Sequence, residues 1–258
     1  MHVRNIYIVI VKGRAISLVY SKLNREEESD MDYKFNRRYF ESINWILVTI
    51  LAVVGLVLLY FYILIGIVIL LGLGVYIYFK LKDRPTDEDI DAVFEEHVNT
   101  VLQKGYDKLG LDPDDVNLND PVLLHGPLLD QISFSPFTKR GKDQKVRSSN
   151  YQAIVFYFNE KQMHVYNYSF SIIDDERNEV MDEYFYHDIV SASTSSTTTL
   201  FYDSGKKRDE FFNLEVFKLT FTGATGIECS IQDLQTVGSK ILDMKKLIRE
   251  KKLSQQHS

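Results

Sequence analysis

The chain has 258 residues, a hydrophobic fraction of 45%, a formal net charge of −6 and a mean hydropathy of −0.15. These averages hide a segregation, because no residue from Trp45 to Phe79 carries a charge and the rest is correspondingly polar. That stretch argues against a purely soluble chain. As the one stretch apolar enough to enter a bilayer it argues against a polytopic channel, and the acidic balance argues against nucleic-acid binding through bulk charge.

Residues 1–30 admit two readings. Asn5 to Val11 and Ile16 to Tyr20 are β-branched and aromatic runs separated by Lys12, Gly13 and Arg14, which reads as a peripheral hairpin. The basic interruptions and the lack of a small-residue cleavage site fit a signal peptide poorly. The other expectation is a translation start at Met31, since Arg25-Glu26-Glu27-Glu28 can be spelled by a purine-rich ribosome-binding sequence. Residues 31–42 then form a short basic cytoplasmic leader.

Residues 43–80 read as a transmembrane segment. One helix over the 35 residues from Trp45 to Phe79 would be about 52 Å long, against a hydrocarbon core of roughly 30 Å. Two helices joined near Tyr60-Phe61-Tyr62 fit that thickness and put an aromatic cluster at the far interface. Lys34, Arg37 and Arg38 before the segment and Lys80, Lys82 and Arg84 after it are matched basic flanks, which places both ends in the cytoplasm. The hairpin is therefore expected, and a single long tilted span is the alternative.

Residues 85–121 begin with Pro85-Thr86-Asp87, an N-cap signal with Asp87, Glu88 and Asp89 in the first turn. Apolar residues at helical spacing from Ile90 to Leu109 then give an amphipathic helix that ends near Gly110. The acidic group Asp112, Asp114, Asp115 and Asp120 lacks the glycine and glutamate of a calcium loop and reads as a solvated connection.

Residues 122–258 are β-rich, with period-two segments at Tyr151 to Asn159, Lys161 to Ile173, Glu179 to His187, Ile189 to Ser196, Thr197 to Tyr202, Phe211 to Phe221 and Gly226 to Gln232. A final amphipathic helix begins at Asp233. Tyr166, Tyr168, Tyr184 and Tyr186 are expected as exposed cross-strand ladders, and the Ser/Thr run from Ser191 to Thr199 as a polar-faced strand, open to phosphorylation or to pairing with a partner.

About seven strands and a C-terminal helix downstream of a membrane hairpin resemble the bacterial pleckstrin-homology-like domains of small membrane proteins. The resemblance covers Val122 to Leu253 and is carried by the strand pattern, by the tract Glu183-Tyr184-Phe185-Tyr186-His187-Asp188-Ile189, and by the helix Leu234 to Lys252. The Ser/Thr strand and the helix Asp87 to Leu109 lie outside that pattern. The fold class expected is thus α+β: a transmembrane helical hairpin, an amphipathic helix, and a PH-like antiparallel β-sandwich or barrel closed by a C-terminal helix. The resemblance implies binding or assembly.

No nucleophile elbow, phosphate loop, dinucleotide fingerprint or zinc-protease motif is present, so no enzymatic activity is expected. Cys229 alternates with Ile227 and Ile231 and reads as a buried thiol, while adjacent strand residues His187 and Asp188 would point to opposite faces. The lone cysteine and six scattered histidines predict no disulfide, metal or other cofactor. The best binding candidates are the loop cations Lys139, Arg140, Lys142, Lys145 and Arg147, joined by Lys206, Lys207 and Arg208. Beside a cytoplasmic leaflet each would gain ~1 kcal/mol from anionic headgroups.

The function expected is a binding or scaffold protein of the bacterial plasma membrane that presents its cytoplasmic domain to anionic lipid or to a protein partner. Two alternatives remain open: an enzyme or sensory module with a pocket in the β-rich domain, and a subunit of a membrane export or defence complex.

Overall fold

The computed structural model describes residues 9–11, 14–16, 25–111, 121–129, 136–223, 225–231 and 234–256, with side chains from residue 33 onward except at 234–235 and 255–256. The acidic connection holding Asp112, Asp114, Asp115 and Asp120 lies outside the described residues. At the N-terminus β1 (Val9–Val11) pairs antiparallel with β2 (Arg14–Ile16), Val9 opposite Ile16. Helix α1 (Arg25–Phe40) follows, and Met31 falls inside it.

Two apolar helices come next. The Asn44 side chain accepts the Leu47 N–H at 3.2 Å and starts α2 (Trp45–Phe61). The helical path breaks at Tyr62, whose φ of −141° and ψ of 75° are not helical, and α3 (Ile63–Leu81) returns. The break falls in the aromatic cluster that the sequence marks. Gly55 sits against Leu70 and Gly66 against Leu59, a pairing that makes the two helices antiparallel and close-packed. Their other faces are uncovered, with Ile46 76% and Leu64 80% exposed. By length and composition α3 is long and apolar enough to cross a membrane.

Helix α4 (Asp87–Leu109) starts on the expected Thr86 cap: the Thr86 hydroxyl accepts the Asp89 N–H and the Asp89 carboxylate accepts the Thr86 N–H. It stops at Gly110, which takes the left-handed φ of 63° that glycine adopts without Cβ strain.

The remaining chain forms two sheets. In one, the order is β3 (Val122–Pro127), β6 (Asn150–Phe158), β7 (Gln162–Ser171), β8 (Arg177–Phe185); in the other it is β11 (Gly226–Ile231), β10 (Arg208–Phe221), β9 (Ile189–Asp203), β4 (Thr138–Arg140), β5 (Val146–Ser148). A short 3-10 turn, Tyr186–Asp188, carries the chain from β8 to β9. The sheets meet where the Ser230 hydroxyl donates to the Pro127 carbonyl at 2.5 Å. Between them lies one core, built from Leu124, Ile154, Phe156, Val165, Phe217, Leu219 and Cys229 and covered by Ile241, Met244 and Ile248 of α5 (Leu234–Gln256).

The middle strands of the first sheet, β6 and β7, are buried on both faces, while β8 at its edge stays largely exposed. Tyr151, Ala153, Val155 and Tyr157 of β6 and Tyr166, Tyr168 and Phe170 of β7 pack outward against Ile90, Phe94, Val98 and Val101 of α4 and against Tyr39 and Phe40 of α1. Tyr166, Tyr168 and Phe170 stack along one strand, β7, and lie buried beneath helices, which corrects the expectation of exposed cross-strand ladders at Tyr166 and Tyr168. Tyr186 is likewise buried, and its hydroxyl donates to the Asn159 carbonyl at 2.7 Å.

Three further points differ from the sequence reading. β9 is one unbroken strand of 15 residues, held by pairing with β10 from Asp203–Arg208 to Ile189–Phe221, so the break expected after Ser196 is absent. The region expected as a basic loop is the β4–β5 hairpin, with Lys139 opposite Arg147. His187 and Asp188 lie in the 3-10 turn instead of a strand, and their side chains approach to 3.5 Å at the surface.

Candidate functional site

The two basic segments that sequence reading singles out do come together, because Thr138 of β4 pairs parallel with Asp203 at the end of β9. Their charges are mostly used inside the protein. Arg147 is 1% exposed; its Nε and Nη2 donate to the two Asp91 oxygens at 2.7 Å each, and its Nη1 and Nη2 donate to the two Asp143 oxygens at 2.9 and 2.8 Å. Burial works against the Arg147 charge, but hydrogen bonds to Asp143 and Asp91 outweigh it and leave the guanidinium firmly protonated. In turn it holds Asp143 down at about 2.

Asp87 extends the cluster toward α1. Its Oδ1 accepts the Tyr39 hydroxyl and its Oδ2 accepts the Lys142 backbone N–H, at 2.7 and 2.8 Å. Burial raises the Asp87 carboxyl, but these two bonds prevail and its pKa falls below the usual value. Arg140 is spent similarly. Its Nε donates to Glu210 Oε2 at 2.9 Å, and the same carboxylate takes Lys206 and Arg208 at 2.7 and 2.8 Å. The hydrogen bonds from Lys206 and Arg208 hold Glu210 at about 2, with Arg140 adding to them.

Lys139 reaches back to α1, where its ammonium donates to the Tyr39 carbonyl at 3.0 Å and stands 3.7 Å over the Tyr39 ring. Burial, with the nearby Arg84 charge, pulls its pKa down to about 8. Of the eight candidate cations, Lys142, Lys145 and Lys207 present exposed side chains with no ion pair among the described residues, and Arg208 is exposed but paired. Asp91 lies 56 residues from Arg147 and Glu210 lies 70 from Arg140, which is why the run from Lys139 to Arg147 does not by itself show these carboxylates.

A second basic feature went unread as a site. Lys34, Arg37, Arg38, Glu41, Ser42 and Ile43 from the α1–α2 segment and Tyr76, Phe79, Lys80 and Arg84 from the end of α3 line a cleft of about 570 Å³. Glu41 pairs with Lys80 at 2.7 Å. Arg84 ties the cleft floor together, its Nη2 donating to the carbonyls of Tyr39 and Glu41 at the C-terminal end of α1. The sequence carries this signal as matched basic flanks, which bear on topology and do not by themselves show a concavity.

Other reactive groups are quiet. Cys229 is fully buried and its thiol is pushed up to about 12 by that burial, far from a nucleophilic thiolate. His187 and Asp188 lie at the surface, their side chains 64% and 44% accessible. No family model matches this chain, and neither a curated protein nor a solved structure matches it.

Proposed function

We propose that the chain is a membrane-anchored binding module: α2 and α3 cross the bilayer as a hairpin, both termini lie on the cytoplasmic side, and the β-rich domain is held against the inner leaflet for anionic lipid or a protein partner. The observation that carries this reading is the pair of close-packed helices, free of charge from Trp45 to Phe79, whose outer faces no described residue covers. In water so large an apolar surface would drive association, whereas a bilayer buries it.

The finer fold proposal is a PH-like domain. It is supported by the spatial sequence of strands, β8-β7-β6-β3 in one sheet and β11-β10-β9 in the other, with α5 closing the core between them. The β4–β5 hairpin is then an insertion that docks the domain on α4. Lys142 and Lys145 at its tip, with Lys207 on the adjacent turn, form the exposed basic rim available to a leaflet.

A cysteine placed at Ser254 in a Cys229→Ser background tests the arrangement in intact cells with a membrane-impermeant maleimide. The expected result is protection until lysis. Labelling of intact cells would put the C-terminal domain outside and would refute the inner-leaflet function.

A further inference from the structure

Residues 33–40 of α1 meet α2 at 76°. With α2 along the membrane normal, α1 lies close to the plane of the leaflet at headgroup depth. The 570 Å³ cleft opens at this corner, between α1 and the last turns of α3.

Its walls are graded in polarity. Five of its residues are cationic, Lys34, Arg37, Arg38, Lys80 and Arg84, and one, Glu41, is acidic. That is a local excess of four positive charges in a chain whose net charge is −6. Ile43 with Tyr76 and Phe79 of α3 supplies the apolar part, at the depth where aromatic rings settle in a membrane. The frame is fixed by the Arg84 bonds to α1 and by the Lys80–Glu41 pair. The Nε of Arg84 is buried and meets no acceptor among the described residues, so a basic wall retains an unused donor.

We infer that this cleft binds the phosphodiester headgroup of an anionic phospholipid of the same leaflet, with its acyl chains along Tyr76 and Phe79. The inference deepens the membrane reading and rests on it. A soluble phosphate would make no use of the aromatic wall, and an acidic peptide would have to enter the plane of the membrane. A phospholipid supplies both chemistries at the depth where the cleft lies. Concave walls and guanidinium forks distinguish this site from the flat lysine rim on the β4–β5 hairpin.

The test uses the full chain in detergent, titrated with phosphatidylglycerol or phosphatidylcholine and read by native mass spectrometry, with flotation on neutral phosphatidylcholine vesicles in parallel. Preferential retention of phosphatidylglycerol is expected. Lys34→Gln with Arg38→Gln should weaken it about 25-fold, at about fivefold per charge, while Lys240→Gln on α5 leaves it unchanged. Equal retention of both lipids, or no effect of the cleft substitutions, in a protein that still floats overturns the cleft alone. Failure to float on neutral vesicles overturns the membrane reading and the cleft with it. Binding of glycerol phosphate as tight as that of the lipid overturns the assignment to a lipid.

Discussion

Arg147 ties α4 to the β4–β5 turn through one side chain, since Asp91 belongs to α4, Asp87 lies 4.0 Å away at the start of the same helix, and Asp143 belongs to the turn. Removing it leaves carboxylates facing each other with no cation between them, and breaking a buried pair in this way costs about 3–5 kcal/mol. Asp91 and Asp143 keep 29% and 38% of their side-chain surface in water, which lets hydration absorb part of the loss. Arg147→Met is therefore expected to destabilise by ~3 kcal/mol, measured by thermal melting in detergent. Arg147→Lys should fall between, because it restores charge without the planar fork. Lys139 makes the opposite prediction. Its pKa falls from 10.5 unfolded to about 8 folded, so between those values the unfolded chain binds more protons and stability rises with pH; below about pH 8 the buried ammonium is a standing cost. Lys139→Met should remove the rise in melting temperature over that window, and an unchanged slope would assign it to another group.

Helix α4 sits close to the sheet because of Gly105. A methyl group there would come within 2.2 Å of the Tyr157 hydroxyl, which donates to the Leu102 carbonyl at 2.6 Å. Gly105→Ala gains about 1 kcal/mol of helix propensity. It loses more, since the hydroxyl must leave its acceptor and the packed interface must open, at about 1–3 kcal/mol. A net destabilisation of up to ~2 kcal/mol is expected, and Tyr157→Phe in the same chain should restore part of it, as read from a double-mutant cycle of melting curves. The elements themselves were largely legible: the Thr86 cap, the Gly110 stop, the break within Tyr60-Phe61-Tyr62 and the β6–β7 hairpin all follow local rules about capping, φ and period. What stayed hidden depends on tertiary partners. β6 is buried along its whole length because helices cover its outer face, and no residue within β6 announces them. The β4–β5 hairpin was hidden in the same way, since its cations meet carboxylates from distant segments. The cleft was legible as charge but not as a concavity, because only the 76° turn after α1 brings both flanks to one place.

At the scale of the whole molecule the pair of apolar helices is an insertion into the β-rich body, and α1 and α4 on either side of it grip the same sheet face. Tyr39 and Phe40, 1% and 2% exposed, join the core formed by α4, β6 and β7, and Asn36 donates to the Ile172 carbonyl at 2.8 Å. The two ends of the insertion are already together, as the Glu41–Lys80 contact of 2.7 Å shows. Replacing residues 45–79 by a short glycine-serine linker should therefore leave a soluble, cooperatively melting domain. A chain starting at Lys82 should be less stable by several kcal/mol, since it loses two buried aromatics worth roughly 1.5–3 kcal/mol each and leaves Asp87 without the Tyr39 hydroxyl. Equal melting temperatures for the two chains would show that α1 is merely a leader. The expected difference would mean that the domain is clamped from both sides of the hairpin. Such a clamp leaves little freedom to swivel on a linker, so under the membrane reading proposed above the domain would meet its ligand in one fixed orientation, set by the grip of α1 and α4 on one sheet face.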